Sequence, residues 1–210
     1  MVVSTYTLRI LFLLHTRNLY IILYCTPCMN KKYVLFGFLS PVTALVFISA
    51  AVYIHDFSFT GTALSDMGRI GLEKNYIFNV GLILSSVFGL LFSLSLYTAL
   101  KGYERIPALG FTTAALSLIG IGVFPEGLAL HVFFSVGFYL LALFSILIIG
   151  VLVYRRKKNL GVFSVSSFGA ACILVGIPGW NGVAIPEVIG AFFICLWMMV
   201  ISYNMWTDNL

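Results

Sequence analysis

Four ionisable residues stand out in this apolar chain because their side chains could do chemistry: His55, Asp66, Glu126 and His131. Carboxylate and imidazole groups act as general acids and bases, and they are also ligand types that zinc takes in proteins. We therefore treat Asp66, Glu126 and His131 as candidate catalytic residues. The same three residues together with His55 form a candidate metal-binding set, for which zinc is the metal considered.

The spacing of Glu126 and His131 limits how they could act together. Five residues along a regular helix correspond to a rotation of about 140° and a rise of about 7 Å. The two side chains could reach one site only if the helix begins irregularly or a third group lies between them. Purely structural roles also remain open: an acid that meets the helix dipole, a histidine bonded to another helix, or, for Asp66, a solvated turn. Glu187, which like Glu126 follows a proline, is expected to be only a first-turn acid.

The candidate residues match no established catalytic or metal motif. The sequence contains no HExxH helix, no GxSxG elbow, no phosphate-binding Walker loop and no dinucleotide-binding fingerprint. The hypothesis of a joint site therefore requires that the fold bring these residues together. Whether it does so depends on the segments that carry them.

Those elements are hydrophobic segments long enough to cross a membrane. The chain is 61% hydrophobic and only 9% charged, with a mean hydropathy of +1.07. A spanning helix needs about 20 apolar residues, and its backbone must satisfy its own hydrogen bonds in lipid. We therefore predict an all-α polytopic membrane protein, a bundle of six transmembrane helices at about residues 33–54, 75–100, 107–124, 126–154, 160–179 and 186–206.

The charges are sorted between the two sets of loops. One set is strongly basic, with Lys31, Lys32, Lys101, Arg105, Arg155, Arg156, Lys157 and Lys158. The other holds Asp56, Asp66, Glu73, Glu126 and Glu187 with only two basic residues, Arg69 and Lys74. Because basic loops stay in the cytoplasm, both termini are predicted to be cytoplasmic and the acidic and histidine residues to lie at the outer face of the cell membrane. The net charge of +5 is explained by orientation and anionic headgroups, so no nucleic-acid partner is expected.

The beginning of the chain is interpreted separately. Residues 1–28 contain an apolar run broken by Arg9, His15 and Arg17, which makes a poor membrane span. Met29 is followed directly by basic residues and the first span. We therefore expect residues 1–28 to be an N-terminal extension, Met29 to be the true start, and residues 29–210 to form the six-helix domain.

The second span carries the clearest internal pattern. Gly81, Ser85, Gly89 and Ser93 recur every four residues, which places four small side chains on one stripe of the helix. Such stripes let neighbouring helices approach closely in membranes. Asn79, near the outer end of the same span, is expected to need a polar partner inside the bundle.

Taken together, several short elements resemble an uncharacterised prokaryotic family of six-span membrane proteins, domain of unknown function 998. They are Ser40-Pro41, the string Ala63-Leu64-Ser65-Asp66-Met67-Gly68, Asn79-Val80-Gly81, and Phe124-Pro125-Glu126 with His131. The resemblance covers about residues 33–206 and implies the six-helix fold without an activity. A more distant similarity is to membrane hydrolases that hold zinc with Ser, Asp and His near one membrane face. This sequence lacks the paired histidines that those enzymes carry on a late span.

Three classes of function stay open at this point. The first is a membrane-embedded, metal-dependent hydrolase or lipid-modifying enzyme that uses Asp66, Glu126 and His131. The second is a binding or scaffold protein that recognises a lipid or a partner helix. A small transporter is less favoured, because its polar groups should lie near the bilayer midplane and here they gather in the outer third. The lipid bilayer is a partner in every case, and the sequence leaves the oligomeric state open.

The predicted orientation can be tested with reporter fusions. Fusions after Lys101 and Arg156 should report the cytoplasm, because basic loops are retained there. Fusions within residues 57–72 and at Asn181 should report the outside. A cytoplasmic signal from the 57–72 loop would overturn the layout.

Overall fold

The computed structural model describes residues 6–15, 18–27, 31–207 and 210, and the chain divides into two compact units, Met1–Asn30 and Lys31–Leu210. In the first unit, strands β1 (Tyr6–His15) and β2 (Asn18–Pro27) pair antiparallel as a hairpin, which the sequence patterns do not predict. Met29 lies outside the described residues, so its role as the start stays a prediction.

The second unit is helical and contains six helices long and apolar enough to cross a membrane. A short helix, α1, leads into the first of them. The bounds are α1 Lys31–Val34, α2 Phe36–Ile54, α3 Tyr76–Ala99, α4 Arg105–Val123, α5 Leu130–Val153, α6 Lys158–Val175 and α7 Ala184–Trp206. Short 3-10 helices occupy Leu64–Gly68 and Gly102–Glu104. The predicted six-helix membrane domain is confirmed.

The helices form a ring in which each packs on its neighbours in sequence and α7 returns to α2. Two helix ends differ from the prediction. The helix α5 begins at Leu130 rather than near 126, because Gly127 adopts a positive φ of 102° and turns the chain first. The helix α6 ends at Val175 rather than at 179, ahead of the Pro178-Gly179 turn.

The two ends of the bundle differ in charge, and we name them the basic end and the acidic end. At the basic end, Nη2 of Arg156 in the α5–α6 turn lies 2.8 Å from Oε2 of Glu104 in the α3–α4 turn. The acidic end carries Asp66, Glu126 and Glu187. The arrangement agrees with the predicted sorting of charges, and the orientation of the two ends across a membrane stays a prediction.

The small-residue stripe of α3 faces the bundle. The Ser85 hydroxyl donates to the carbonyl of Ser40 at 2.9 Å, and the Thr112 hydroxyl lies 3.1 Å from that of Ser93. Gly81 and Gly89 are both buried. Hydrogen bonds of this kind join helices in lipid, where the hydrophobic effect does not drive their association.

A cluster of aromatic rings fills the bundle in the half nearer the basic end. Phe92, Phe111 and Trp197 are buried, and their ring centroids lie 5.4 to 6.5 Å apart. The indole nitrogen of Trp197 donates to the Ser164 hydroxyl at 2.8 Å, which fixes the ring against α6. These contacts form a layer of closely packed rings in the half of the bundle nearer the basic end.

The two glycines of the stripe should respond differently to an added methyl group. A Cβ at Gly81 would collide with Phe47 on α2, whereas a Cβ at Gly89 would lie 3.5 Å from Ser40 Oγ and 3.7 Å from Ala115 Cβ. We expect Gly81→Ala to lower the free energy of unfolding by about 1–3 kcal/mol, as overpacked contacts do.

Gly89→Ala is the matched control and should leave stability unchanged or slightly raised, because alanine is the better helix former. Thermal unfolding in detergent measures both variants. Equal melting temperatures for the two would place the close helix contact somewhere other than Gly81.

Candidate functional site

The long loop between α2 and α3 folds down onto the acidic end of the bundle. Its 3-10 helix, Leu64–Gly68, is held by side chains from two helices. The amide nitrogen of Asn79 donates to the Gly68 carbonyl at 2.9 Å, and the Leu64 N–H donates to Oε2 of Glu187 at 2.6 Å. Asn79 therefore has the polar partner that its burial requires.

Backbone contacts fix the same loop at both of its sides. The Ile70 N–H donates to the Glu126 carbonyl at 3.1 Å, and the Ala184 N–H donates to the Thr62 carbonyl at 3.0 Å. The loop is thus hydrogen-bonded to the α4–α5 turn and to the start of α7. It forms a wall of the site and does not extend into solvent.

Asp66 lies within this loop helix and has two local partners. Its Oδ2 accepts a hydrogen bond from the Ala63 N–H at 2.8 Å, and its Oδ1 pairs with the guanidinium of Arg69. The carboxylate therefore satisfies the first turn of the 3-10 helix while its charge is balanced by a neighbour.

Glu126 and His131 are brought into direct contact. Oε2 of Glu126 lies 3.0 Å from Nε2 of His131, whose side chain is only 4% exposed. The contact is allowed because α5 begins after Gly127, so Glu126 belongs to an irregular turn and not to the first helical turn. This is the irregular helix start that a joint site required.

The hydrogen positions at this pair follow from its partners. Nδ1 of His131 lies 2.9 Å from the Phe124 carbonyl oxygen, which can only accept, so Nδ1 carries a hydrogen. Nε2 of the same ring lies 3.0 Å from Oε2 of the Glu126 carboxyl group, so the imidazole bridges two parts of the α4–α5 turn. The pair therefore joins a carboxyl group and an imidazole, two groups that can act as general acid and base.

Two further side chains complete this arrangement and were not among the predicted site residues. The hydroxyl of Ser135 lies 3.2 Å from Nε2 of His131, and the Ser65 hydroxyl donates to Oε2 of Glu126 at 3.3 Å. Ser135 follows His131 by four residues, a spacing that places both on one helix face and could have signalled it.

Glu187 is the most important residue that the sequence interpretation set aside. It does lie in the first turn of α7, as expected, but it also bonds the loop helix and lies near enough to Asp66 and Glu126 for their charges to act on it. Its backbone carbonyl accepts from the Tyr139 hydroxyl at 3.0 Å. The shared Pro-Glu sequence at residues 125–126 and 186–187 was the available signal.

These residues line a cleft of about 680 Å³ between α5 and the start of α7, at the acidic end. Asp66, Arg69, Glu126, His131 and Glu187 form its polar end. Its opposite wall is aliphatic and continues along α5, with Val132, Val136, Leu140 and Leu143. The cleft is thus charged at one end and hydrocarbon-like along its length, a combination typical of sites for amphipathic molecules.

A second, interior cavity of about 90 Å³ lies beside the cleft. The two share a wall made of Ser65, Ser135, Tyr139 and Glu187. The cavity extends along α7 from Glu187 to Met198, which corresponds to about 16 Å at the rise of a helix.

The structure does not gather the proposed metal ligands into one set. Within the described part of the chain, no three His, Cys, Asp or Glu side chains lie where they could hold a metal ion. His55 directly follows α2 and is not one of the described residues that line the cleft. Catalytic roles for Asp66, Glu126 and His131, and a zinc site that includes His55, stay predictions.

Comparison with protein families gives one match. The model of the family described as "Protein of unknown function (DUF998)" matches residues 38–204, most of the chain. The chain belongs to this family. No curated protein and no solved structure matches it. The family match includes most or all of each of the six membrane helices and every described residue of the cleft, so this DUF998 member carries the site within its family domain.

The Glu126–His131 contact makes a prediction about stability. His131→Ala removes a buried ring that bonds the Phe124 carbonyl and the Glu126 carboxylate, and both would lose a partner. We expect the free energy of unfolding to fall by about 1–3 kcal/mol.

The control for this variant is His55→Ala at the same end of the bundle. No described group bonds the buried Nε2 of His55, so its loss should cost less. Thermal unfolding in detergent compares the two variants. A smaller loss for His131→Ala than for His55→Ala would contradict the bonding described here.

Proposed function

We propose that this protein binds a membrane lipid in the cleft between α5 and α7. The lipid head group lies against the acidic residues, and a hydrocarbon chain lies along the aliphatic wall of α5. The observation that carries the proposal is the joining of a charged end and an aliphatic wall in one cleft within the membrane domain.

The charges of the cleft favour a head group that donates hydrogen bonds. Three carboxylates, those of Asp66, Glu126 and Glu187, line the cleft with one guanidinium and one imidazole. Arg69 is already paired with Asp66, and His131 with Glu126. The free acceptor capacity therefore belongs to carboxylate oxygens, which suit an ammonium or hydroxyl group better than a bare phosphate.

The aliphatic wall favours a lipid chain over a soluble ligand. Val132, Val136 and Leu140 follow one another at helical spacing and are 62%, 51% and 52% exposed. On a membrane-spanning helix such side chains face hydrocarbon, and the stretch covers about 12 Å of the helix axis. A cleft that opens sideways along this stretch is accessible to the chains of the surrounding bilayer.

The orientation of the protein places this lipid. If the basic loops are cytoplasmic, as the charge pattern predicts, the acidic end lies in the outer leaflet of the cell membrane and the bound lipid comes from that leaflet. A partner helix seated on the same wall would satisfy the aliphatic residues of α5. It would leave the carboxylates of Glu126 and Glu187 without the donors that a lipid head group supplies.

A second candidate function is a lipid-modifying enzyme at the same site. It is favoured by one observation, the direct contact of Glu126 with His131 beside the Ser135 hydroxyl. A positioned acid–base pair at the head-group end of a lipid cleft is what hydrolysis or transfer at a lipid ester needs.

Native mass spectrometry of the detergent-purified protein tests the proposal with two lipids. Phosphatidylethanolamine carries an ammonium with three donors, whereas the quaternary group of phosphatidylcholine has none. We expect the first to remain bound and the second to be lost. Because charge-assisted hydrogen bonds contribute about 1.5–3 kcal/mol each, the preference should be on the order of tenfold or more.

Glu126→Gln and Glu187→Gln should reduce this preference. Glu73→Gln, an exposed residue of the same loop, is the matched control and should keep it. Equal retention of both lipids by the unaltered protein would refute lipid recognition by the cleft. Appearance of a lysolipid in the same spectra, lost in His131→Ala, would favour the enzyme.

A further inference from the structure

We propose that the interior cavity is a second binding site, one that takes a hydrocarbon chain of the lipid held by the cleft. This inference rests on the proposed lipid binding and adds a separate chain site inside the bundle. The chain passes through the shared wall, between Ser135 and Tyr139 of α5 and Ser65 and Glu187 opposite them.

Several serines line the cavity, but their hydroxyl groups are hydrogen-bonded to other protein groups. The Ser40 and Ser85 hydroxyls bond each other at 3.2 Å, and Ser85 also donates to the Ser40 carbonyl. Ser86 donates to the Ala115 carbonyl. The serines nearer the acidic end, Ser65 and Ser135, contact Glu126 and His131.

These bonds decide the class of occupant. A buried water needs two to four polar partners, and the hydroxyls that could supply them are engaged with protein groups. Apart from Tyr139 and Glu187 in the shared wall, the rest of the lining is aliphatic, aromatic or small, including Ile48, Leu82, Phe138 and Ile194. The cavity therefore suits hydrocarbon better than water or a polar solute.

The shape of the cavity fits a single chain. The residues of α7 that line it, from Glu187 to Met198, cover about 16 Å of the helix axis. Phe111 lines its deep end and packs on Phe92 and Trp197, the buried aromatic layer nearer the basic end. The cavity thus extends from the wall that it shares with the cleft to the aromatic layer.

Entry of the chain would be driven by van der Waals contacts with the cavity walls and not by the hydrophobic effect. Lipid chains in the bilayer are already in hydrocarbon, so transfer into the cavity gains no hydrophobic free energy. A void in a packed protein forfeits van der Waals contacts on its lining. For a cavity of about 90 Å³, filling it should favour the occupied form by a factor of about 30.

A photoreactive lipid tests the proposal directly. The probe is phosphatidylethanolamine with a diazirine near the end of one acyl chain, reconstituted with the full-length protein in vesicles. After illumination, mass spectrometry locates the adducts. We expect distal-chain adducts on cavity residues of α7, namely Ile194, Cys195 and Met198.

Filling the cavity should remove these adducts. Gly89 lines the cavity and has room for a Cβ, so Gly89→Val adds its bulk to the cavity. We expect a loss of adducts of about tenfold, a large part of the gain from filling the cavity. Gly169→Val is the matched control, since a Cβ there meets nothing within 4 Å. Ala191→Leu fills the same cavity from α7 and serves if Gly89→Val fails to fold.

The outcomes separate this inference from the proposed lipid binding. Adducts confined to Val136 and Leu140, unchanged in both cavity variants, would show the chain in the cleft alone and overturn the inference. Retention of phosphatidylethanolamine over phosphatidylcholine in that result would leave the cleft proposal standing. Adducts on Cys195 and Met198 that vanish in Gly89→Val and persist in Gly169→Val would support the cavity site.

Discussion

The structure depends on a constraint on the backbone of the long loop at the acidic end. Loop N–H and C=O groups that leave water at a membrane surface must find partners in the protein. Here Glu187 accepts from Leu64, Asn79 donates to Gly68, and the Glu126 carbonyl accepts from Ile70. These three bonds hold the loop against the bundle, and without the loop neither the cleft nor the wall that it shares with the cavity would exist.

The same acidic residues therefore have two tasks. The Glu187 carboxylate bonds the loop and lines both the cleft and the cavity, while Glu126 bonds the loop through its backbone and His131 through its side chain. A ligand that competes for these carboxylates acts on groups that also hold the loop in place. Binding in the cleft and the position of the loop are thus linked by shared hydrogen bonds and need no distant pathway.

The sequence predicts those features of the fold and of the site that depend on residues close together in the chain. It predicts less of those that depend on residues far apart. Hydropathy and loop length predict the six helices, and the cost of burying an amide predicts a partner for Asn79. The contact of Glu126 with His131 was not predictable from helical spacing, because it depends on where α5 begins. That start is set by the left-handed backbone at Gly127, a local event that hydropathy does not register.

Glu187 shows that a contact between distant residues was also not predictable from the sequence. Its position in the first turn of α7 follows from the Pro-Glu sequence, but its bond to Leu64 joins residues 123 positions apart in the chain. A pattern within one segment carries no information about such a contact. The resemblance of the two Pro-Glu pairs was visible in the sequence, and only the folded ring places both on one cleft.

The aromatic layer of Phe92, Phe111 and Trp197 has a consequence for exchange with the membrane. The rings lie between the cavity and the basic end, so a lipid chain bound as proposed would leave by the route through which it entered. In the predicted orientation this route leads to one leaflet, and the occupancy of the proposed site would follow the composition of that leaflet whatever the other contains. A pocket with a single entrance would thus respond to a difference in composition between the two leaflets. A channel open at both ends would average that difference.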